Sequence, residues 1–386
     1  MNASAAHHSH NIADLREHAR ARLPRGVFEY LDRGTEDEIA LRNNRDAFER
    51  VKFVPRVLKD VSAVDHSIEL FGKPLSMPLA IGATGGAALI WHDGDLALAR
   101  AAAAAGIPFT ISSASTLPIE RIAAVGGRRW FQLYPWEQRE HSYALVRKAY
   151  DLGCEALVVT VDAATPPNRE YNERNGFGIP LRLNAHNVTD VLTHPRWLCG
   201  VLLRYLLTTG LPRQANLPEG MRAKVTEAPS IGANFRCDNL SWEELGLLRR
   251  MWRGVFIVKG IVSPRDATRA VREGVDALIV SNHGGRNLDS VVATLDALPG
   301  VLDAVEDRVP VLLDSGIRRG SDVVKALALG AKAVLVGRAP LYGLAVAGQP
   351  GVERSMELLR TELARVMAFC GCRSIAEITP ELLYRR

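Results

Sequence analysis

No two cysteines in this chain have the spacing of a zinc knuckle or a dithiol redox motif. The five present, Cys154, Cys199, Cys237, Cys370 and Cys372, are an odd number, and Cys370-Gly371-Cys372 alone supplies too few ligands for a metal. They read as reduced thiols, and no metal site is expected. No window reaches the roughly 18 apolar residues of a spanning helix. The N-terminus, with His7, His8 and His10 in a polar run, lacks the apolar core of a secretion signal and reads as a solvated tail. A cytoplasmic location is expected, with the inner face of the cell membrane kept open. No Gly-x-Gly-x-x-Gly opens a helix after the first strand: Gly82-Ala83-Thr84-Gly85-Gly86 has the wrong spacing, and Gly176-Phe177-Gly178 runs into Pro180. A Rossmann nicotinamide site is thereby disfavoured. The net charge of +5 comes with no helix-turn-helix signature and no basic patch interleaved with aromatics, so small anions, not nucleic acid, are the expected partners.

What the chain does have is 386 residues, 47% of them hydrophobic, and a strand-helix rhythm. Short apolar runs alternate with helical patterns: Leu79-Ala80-Ile81 then Asp95 to Ala105, Phe109-Thr110-Ile111 then Ile119 to Ala124, Trp130 to Leu133 then His141 to Leu152. The rhythm goes on with Ala156 to Thr160 and, after a long insertion, Trp242 to Met251. Val255 to Val258 then pairs with Pro264 to Glu273, Leu278 to Val280 with Thr294 to Val305, and Val311 to Leu313 with Ser321 to Leu329. Ala333 to Val336 precedes a closing helix. This predicts a (β/α)8 TIM barrel in an α/β chain, one domain comprising an N-terminal helical cap at 1–75, the barrel at 76–164 and 240–386, and a lid or insertion at 165–239.

A barrel places function at the C-terminal ends of its strands. Polar residues collect there: Thr84 and Gly85, Ser112, Gln132 and Tyr134, Thr160 and Asp162, Lys259, Ser281, Asp314 with Gly316 and Arg318, and Gly337-Arg338. The run Ser281-Asn282-His283-Gly284-Gly285-Arg286 puts a group that titrates near neutrality three residues from a fixed, forked cation on a glycine turn, which suits an anionic substrate that must lose a proton. Gly316, Arg318, Gly337 and Arg338 occupy the loops after strands seven and eight, where barrels often hold phosphate. The alternative for Arg318-Arg319-Gly320-Ser321-Asp322 is an ordinary helix N-terminus capped by Ser321 or Asp322.

These residues resemble the FMN-dependent 2-hydroxy acid dehydrogenases and oxidases over nearly the whole chain. The likeness runs from Arg22-Leu23-Pro24 and Glu29-Tyr30 through Phe131-Gln132-Leu133-Tyr134 and Ser281 to Arg286, to Asp314-Ser315-Gly316-Ile317-Arg318-Arg319-Gly320. The resemblance implies FMN as cofactor and oxidation of an (S)-2-hydroxy acid to the 2-oxo acid. It implies His283 as base, Asp162 as its orienting carboxylate, Tyr30 and Arg286 on the substrate carboxylate, and Tyr134 on the substrate hydroxyl. Asp162 read without the motif is equally a loop cap. Arg169 resembles a second arginine near the substrate, although Asn168 replaces the usual glycine before it; the alternative is a solvated side chain. Lys259 resembles the cation beside flavin N1 and O2, and Ser112, Gln132, Thr160 and Ser281 resemble flavin hydrogen-bond partners. Ala83, Thr84 and Gly85 resemble the first flavin loop, with Ala83 in place of a proline, while Asp314, Gly316, Arg318, Gly337 and Arg338 resemble ribityl and phosphate contacts.

Within the family the likeness is strongest to members acting on mandelate, in Gly94 to Arg100, His194 to Trp197 and Gly320 to Gly330. Gly85 stands where glycolate and lactate oxidases carry alanine, which tilts the reading to a dehydrogenase passing electrons to a quinone or another carrier. Ala114 replaces a tryptophan of glycolate oxidase and leaves room for a bulky side chain. The alternatives are an L-lactate dehydrogenase, an oxidase producing peroxide, or, in another class, a non-redox FMN-binding barrel. Relatives imply a homotetramer. The apolar segment at 195–210 resembles a membrane-attachment segment, and packing against another subunit or the barrel wall is its alternative.

Overall fold

The computed structural model describes residues 6–177, 184–217, 222 and 239–384. A short antiparallel hairpin, β1 (Ile68–Leu70) and β2 (Lys73–Leu75), precedes eight parallel strands. These are β3 (Leu79–Ile81), β4 (Phe109–Ser112), β5 (Arg129–Leu133), β6 (Ala156–Thr160), β7 (Val255–Ile261), β8 (Ala277–Val280), β9 (Val311–Leu313) and β10 (Ala333–Val336). They close in the order β10-β3-β4-β5-β6-β7-β8-β9. The expected (β/α)8 barrel is the observed fold, and each apolar run read from the sequence is one of its staves.

Side chains alternate along each strand, and in a closed barrel that alternation divides core from core. Ala80, Trp130, Val158, Ile257, Ile279, Leu312 and Leu335 form one buried cluster inside the barrel. Their neighbours Ile81, Phe131, Leu157, Val258, Leu278, Leu313 and Val334 belong to the larger cluster between strands and helices. The hairpin plugs the N-terminal mouth: Leu70 and Leu75 join the inner cluster, and the Phe71 ring lies 5.9 Å from that of Trp130. Phe71 and Gly72 both have positive φ, 56° and 69°, the backbone of a two-residue hairpin turn. Three-residue strands carry too little pattern for the sequence to reveal this plug.

Helices Ile12–Arg22, Arg25–Asp32 and Ile39–Arg50 lie before the hairpin. The first is capped locally, Asn11 Oδ1 accepting from Asp14 N–H at 2.9 Å. The third is capped from a distant loop: Asp289 accepts from the N–H groups of Ala40 at 2.9 Å and Ile39 at 3.2 Å, which ties this helix to the segment after β8. Of the insertion, the described part includes helices Glu170–Asn175 and Ala185–Leu192 and a continuous helical run from Pro195 to Leu207 that is π-helical over Leu198–Leu203. Much of the expected lid, at 178–183, 218–221 and 223–238, lies outside the described residues. Among those described, Cys154, Cys199, Cys370 and Cys372 are free thiols, and Cys237 lies outside.

The chain closes with two helices, Arg338–Ala347 and Gln349–Phe369, joined at Gly348. They cross through glycines: a Cβ on Gly343 would stand 2.1 Å from the Gly351 carbonyl oxygen, and one on Gly351 would stand 1.9 Å from that of Gly343. Replacing Gly351 by Ala should therefore force the helices apart and destabilise the fold by about 1–3 kcal/mol or more, read as a lowered midpoint of thermal unfolding.

Candidate active site

Two residues above the apolar layer, the same inward-facing positions turn polar: Trp130 gives way to Gln132, Val158 to Thr160, Ile257 to Lys259, Ile279 to Ser281 and Leu312 to Asp314. Register sets Ser112 opposite Gln132 and Thr160 opposite Lys259, and steps by two residues between such pairs, Gln132 lying opposite Val158 and Lys259 opposite Ile279, which is the stagger of a tilted barrel. Ser112 Oγ donates to Gln132 Oε1 at 3.1 Å, and Gln132 Nε2 donates to Thr160 Oγ1 at 3.0 Å. Across the barrel the Lys259 ammonium donates to Ser281 Oγ at 2.8 Å and lies 3.3 Å from Asp314 Oδ2. Burial would lower its pKa; Asp314 and Asp162 outweigh that and raise it, so Lys259 is a fixed cation in the floor.

His283 stands above this floor between two partners. Its Nδ1 is 3.0 Å from Asp162 Oδ1 and its Nε2 is 3.0 Å from the Tyr134 hydroxyl. Burial raises the Asp162 carboxyl, but His283 and Lys259 overcome this and hold it below its ordinary value, so Asp162 is an acceptor and Nδ1 carries the proton. Nε2 is then the unprotonated nitrogen, accepting from the Tyr134 hydroxyl. Burial lowers the His283 pKa, Asp162 raises it and Lys259 lowers it again, with a net depression below 6.5. Asp162 itself is seated by Gly260: the register slips between Lys259 and Ile261, Gly260 has φ of 110°, and a Cβ there would lie 2.7 Å from that of Asp162. Asn287 Nδ2 donates to the Asp162 carbonyl at 2.8 Å.

Arg286 donates to the carbonyls of Tyr30 at 2.7 Å and Arg33 at 3.1 Å, and its guanidinium lies 5.2 Å from the Tyr30 ring centroid. Arg169 approaches the same ring to 5.8 Å. Its Nε is buried with no hydrogen-bond partner, and burial followed by the Arg286 charge lowers its pKa. Arg169 is thus no solvated side chain; it is the second of two cations converging beside Tyr30.

Just after β10 Arg338 is buried, its guanidinium donating to the carbonyls of Gly284 at 2.9 Å, Arg33 at 3.1 Å and Leu31 at 3.3 Å. Burial, then Arg286 and Arg318, press its pKa down to about 9. Such crowding of like charge calls for an anion, and a phosphate monoester on a polar floor with a buried ammonium fits it. Gly316 belongs to this wall, with φ of 90° and no room for a Cβ, which would stand 2.8 Å from the Asn44 carbonyl oxygen. The residues present therefore fit FMN. Thr84 touches the same wall, its Cγ2 lying 3.6 Å from where a Gly337 Cβ would be. Ala83 and Gly85 flank Thr84 in the loop after β3. The helix after β9 begins at Gly320, with Arg319 as its N-cap rather than Ser321 or Asp322; Asp322 instead reaches back to accept from the N–H groups of Arg318 at 2.8 Å and Arg319 at 3.0 Å.

Sequence reasoning missed several supports. Gly260 looked like any strand glycine, Asn44 lay far from every motif, and Ser315, whose Oγ accepts from Gly284 N–H at 2.9 Å and donates to Asp314 at 2.7 Å, looked like a spacer. Only the positive φ of Ser315 and its neighbourhood mark it, and neither is visible in sequence.

Over residues 19–385 the chain matches the family model of the FMN-dependent dehydrogenases. The (S)-mandelate dehydrogenase of Pseudomonas putida is 42% identical over 374 residues, 97% of this chain and 93% of that protein. The L-lactate dehydrogenase of Alcaligenes faecalis is 42% identical over 375 residues, 96% of this chain and 98% of that one. A solved structure of the monotopic membrane protein (S)-mandelate dehydrogenase, 41% identical, matches with a TM-score of 0.93 and covers 98% of this chain and 100% of that chain.

The His283 environment makes a directional prediction. In protein with 15N-labelled histidine, the His283 ring should titrate below 6.5, and Asp162→Asn should move that titration lower still, because it deletes a carboxylate that raises the imidazole pKa. A midpoint that stays put or rises in the variant contradicts the pairing.

Proposed function

The chain belongs to the FMN-dependent 2-hydroxy acid dehydrogenase family, and from that premise we propose that it oxidises an aromatic (S)-2-hydroxy acid, mandelate or a near relative, to the 2-oxo acid. The electrons pass to a quinone or similar carrier. The observation that carries this is the placing of a neutral imidazole, with Nε2 facing the Tyr134 hydroxyl, beside two converging guanidiniums.

Arg286 and Arg169 hold the substrate carboxylate, with the Tyr30 ring packed against both guanidiniums and its hydroxyl completing the grip. Tyr134 bonds the 2-hydroxyl, and His283 Nε2 takes a proton as the alcohol becomes a carbonyl; it serves as base whether the Cα hydrogen leaves as hydride or as proton. Asp162 balances the imidazolium that forms. When bound, FMN accepts the two electrons of the oxidation, and Lys259 supplies positive charge against the reduced ring. Ser112, Gln132, Thr160 and Ser281 would hold the ring edge, and Ala83, Thr84, Gly85, Asp314, Gly316, Arg318, Gly337 and Arg338 the rest of the cofactor.

The size of the substrate is argued from Ala114, a small residue on the loop after β4. The acceptor is argued from Gly85: a Cβ there would meet only the Tyr30 hydroxyl, at an ordinary 3.8 Å, so the protein fold does not require glycine and the space is left for the groups that bind. Lactate is the competing substrate, supported by the equal identity of the lactate dehydrogenase relative.

Association with a membrane surface is part of the same proposal. Within the helical run from Pro195, Trp197 and Tyr205 face inward, Trp197 Nε1 donating to the Leu89 carbonyl at 2.7 Å and the Tyr205 hydroxyl accepting from Asp93 N–H at 3.0 Å. Leu206 and Leu207 face outward, 55% and 84% exposed, close in sequence to the exposed Arg196, Arg204 and Arg213. Leucines flanked by arginines suit an anionic lipid interface. No helix among the described residues is long and apolar enough to cross a membrane.

Two measurements follow. Mixed anaerobically with (S)-mandelate, (S)-lactate and glycolate in turn, the yellow protein should bleach fastest with mandelate and regain colour slowly in air. Bleaching by lactate or glycolate with immediate recolouring would make it an oxidase of small hydroxy acids. The double variant Leu206→Asp and Leu207→Asp should move the protein from vesicles of anionic phospholipid into the supernatant while leaving turnover with a soluble dye unchanged; retention on the vesicles would count against the lipid contact.

A further inference from the structure

The loop carrying His283 runs through three successive left-handed residues, His283, Gly284 and Gly285, at φ of 57°, 68° and 69°. Glycine adopts this backbone freely, whereas a histidine keeps it only where its surroundings over-determine it. Ser281 Oγ accepts from His283 N–H at 3.1 Å, and the Asn282 side chain braces the far end of the turn. Asn282, 5% exposed, accepts at Oδ1 from Gly285 N–H at 3.2 Å and from Asn44 Nδ2 at 2.9 Å. Its Nδ2 donates to Asn44 Oδ1 at 2.8 Å and to the Val292 carbonyl at 3.1 Å. Every direction of the amide is used, and flipping it would set oxygen against the Val292 carbonyl and nitrogen against the Gly285 N–H.

Asn44 is 2% exposed and comes from helix Ile39–Arg50, outside the ring of strand ends. The two amides face one another in a closed reciprocal pair, and Asn44 Oδ1 also lies 3.4 Å from Thr294 N–H. We propose that Asn44 is a positioning residue for His283, acting through this amide pair with Asn282; the proposal rests on the reading of His283 as the base.

The other anchors of the loop explain why the effect should fall on the chemical step. Arg286 is held independently by the carbonyls of Tyr30 and Arg33, and Gly284 by Ser315 and Arg338. Loss of Asn44 therefore leaves substrate binding, the loop closure and the His283 N–H bond to Ser281 Oγ at 3.1 Å standing, and loosens the Asn282 side chain that braces the turn to Gly285, so that the imidazole is aimed less closely at Asp162 and Tyr134.

The substitution Asn44→Asp separates positioning from packing. A protonated carboxyl has the shape of the amide and keeps one donor and one acceptor toward Asn282. Ionised, it presents two acceptors and opens the pair. In the holoenzyme carrying Asn44→Asp, kcat should approach the parent value at the acid end and fall roughly 10-fold or more as pH rises through the new ionisation. The parent, whose amide at position 44 does not ionise, should show no descending limb from this position. Asn44→Ala should lose a similar factor at every pH with KM within about three-fold of the parent. Flavin absorbance and the thermal midpoint, measured at each pH, should not follow the loss. A pH profile superposing on that of the parent, an unchanged kcat in Asn44→Ala, or a loss that tracks flavin release or melting would overturn the proposal. If the parent itself turns over no 2-hydroxy acid, the reading of His283 as base fails first; if it does and the variants match it, only the role of Asn44 fails.

Discussion

Everything at the site depends on the two-residue alternation of strands that close on themselves. In an open sheet an inward polar residue can find water beyond an edge, but a closed barrel has no edge. An inward chain must therefore be apolar where the interior is sealed and can be polar only where it opens. Here the change comes between Ile257 and Lys259, between Val158 and Thr160 and between Ile279 and Ser281, level on the first two of these strands and staggered by two residues on the third. The hairpin plug beneath makes the lower half a true core, and the polar half becomes the floor of a site.

Burying charge on that floor is costly unless each charge meets its opposite. Lys259 meets Asp314, and His283 meets Asp162, so the lower part is balanced within the protein. The upper part carries more positive charge: Arg169 and Arg286 lie beside Tyr30, and Arg338 lies near Arg286 and Arg318 with Asp32 acting against them, so that burial first and neighbouring cations second lower the pKa of Arg169 and Arg338. The proposed carboxylate substrate and phosphorylated cofactor would bring negative charge to the two ends of this cluster.

The N-terminal helices act as more than a cover. Their backbone carbonyls at Tyr30, Leu31 and Arg33 receive Arg286 and Arg338, Asp289 caps the helix that brings Asn44 inward, and Thr35 N–H donates to the Gly285 carbonyl at 3.0 Å. A segment far away in sequence thus completes the His283 loop, and a left-handed histidine is stable there because it is held from several sides.

The barrel itself was legible in the chain because strand burial is local: Ala156 to Thr160 or Val311 to Leu313 announces itself by being apolar over a short run. So were the strand-end groups, since a barrel dictates where its strands' ends converge, and the family likeness suggested the roles proposed for them. The hairpin plug, the Gly260 bulge that seats Asp162, the Asn44–Asn282 pair and the N-cap at Arg319 were not legible. Each depends on which distant atoms come within hydrogen-bond or van der Waals reach, and residues 238 apart leave no periodic trace of meeting. By itself the sequence determined the architecture and the inventory of chemical groups, because both follow from local pattern. Which partner each nitrogen of His283 meets, and which charges lie against one another, was decided only by tertiary structure, because hydrogen bonding and charge balance are properties of neighbours in space.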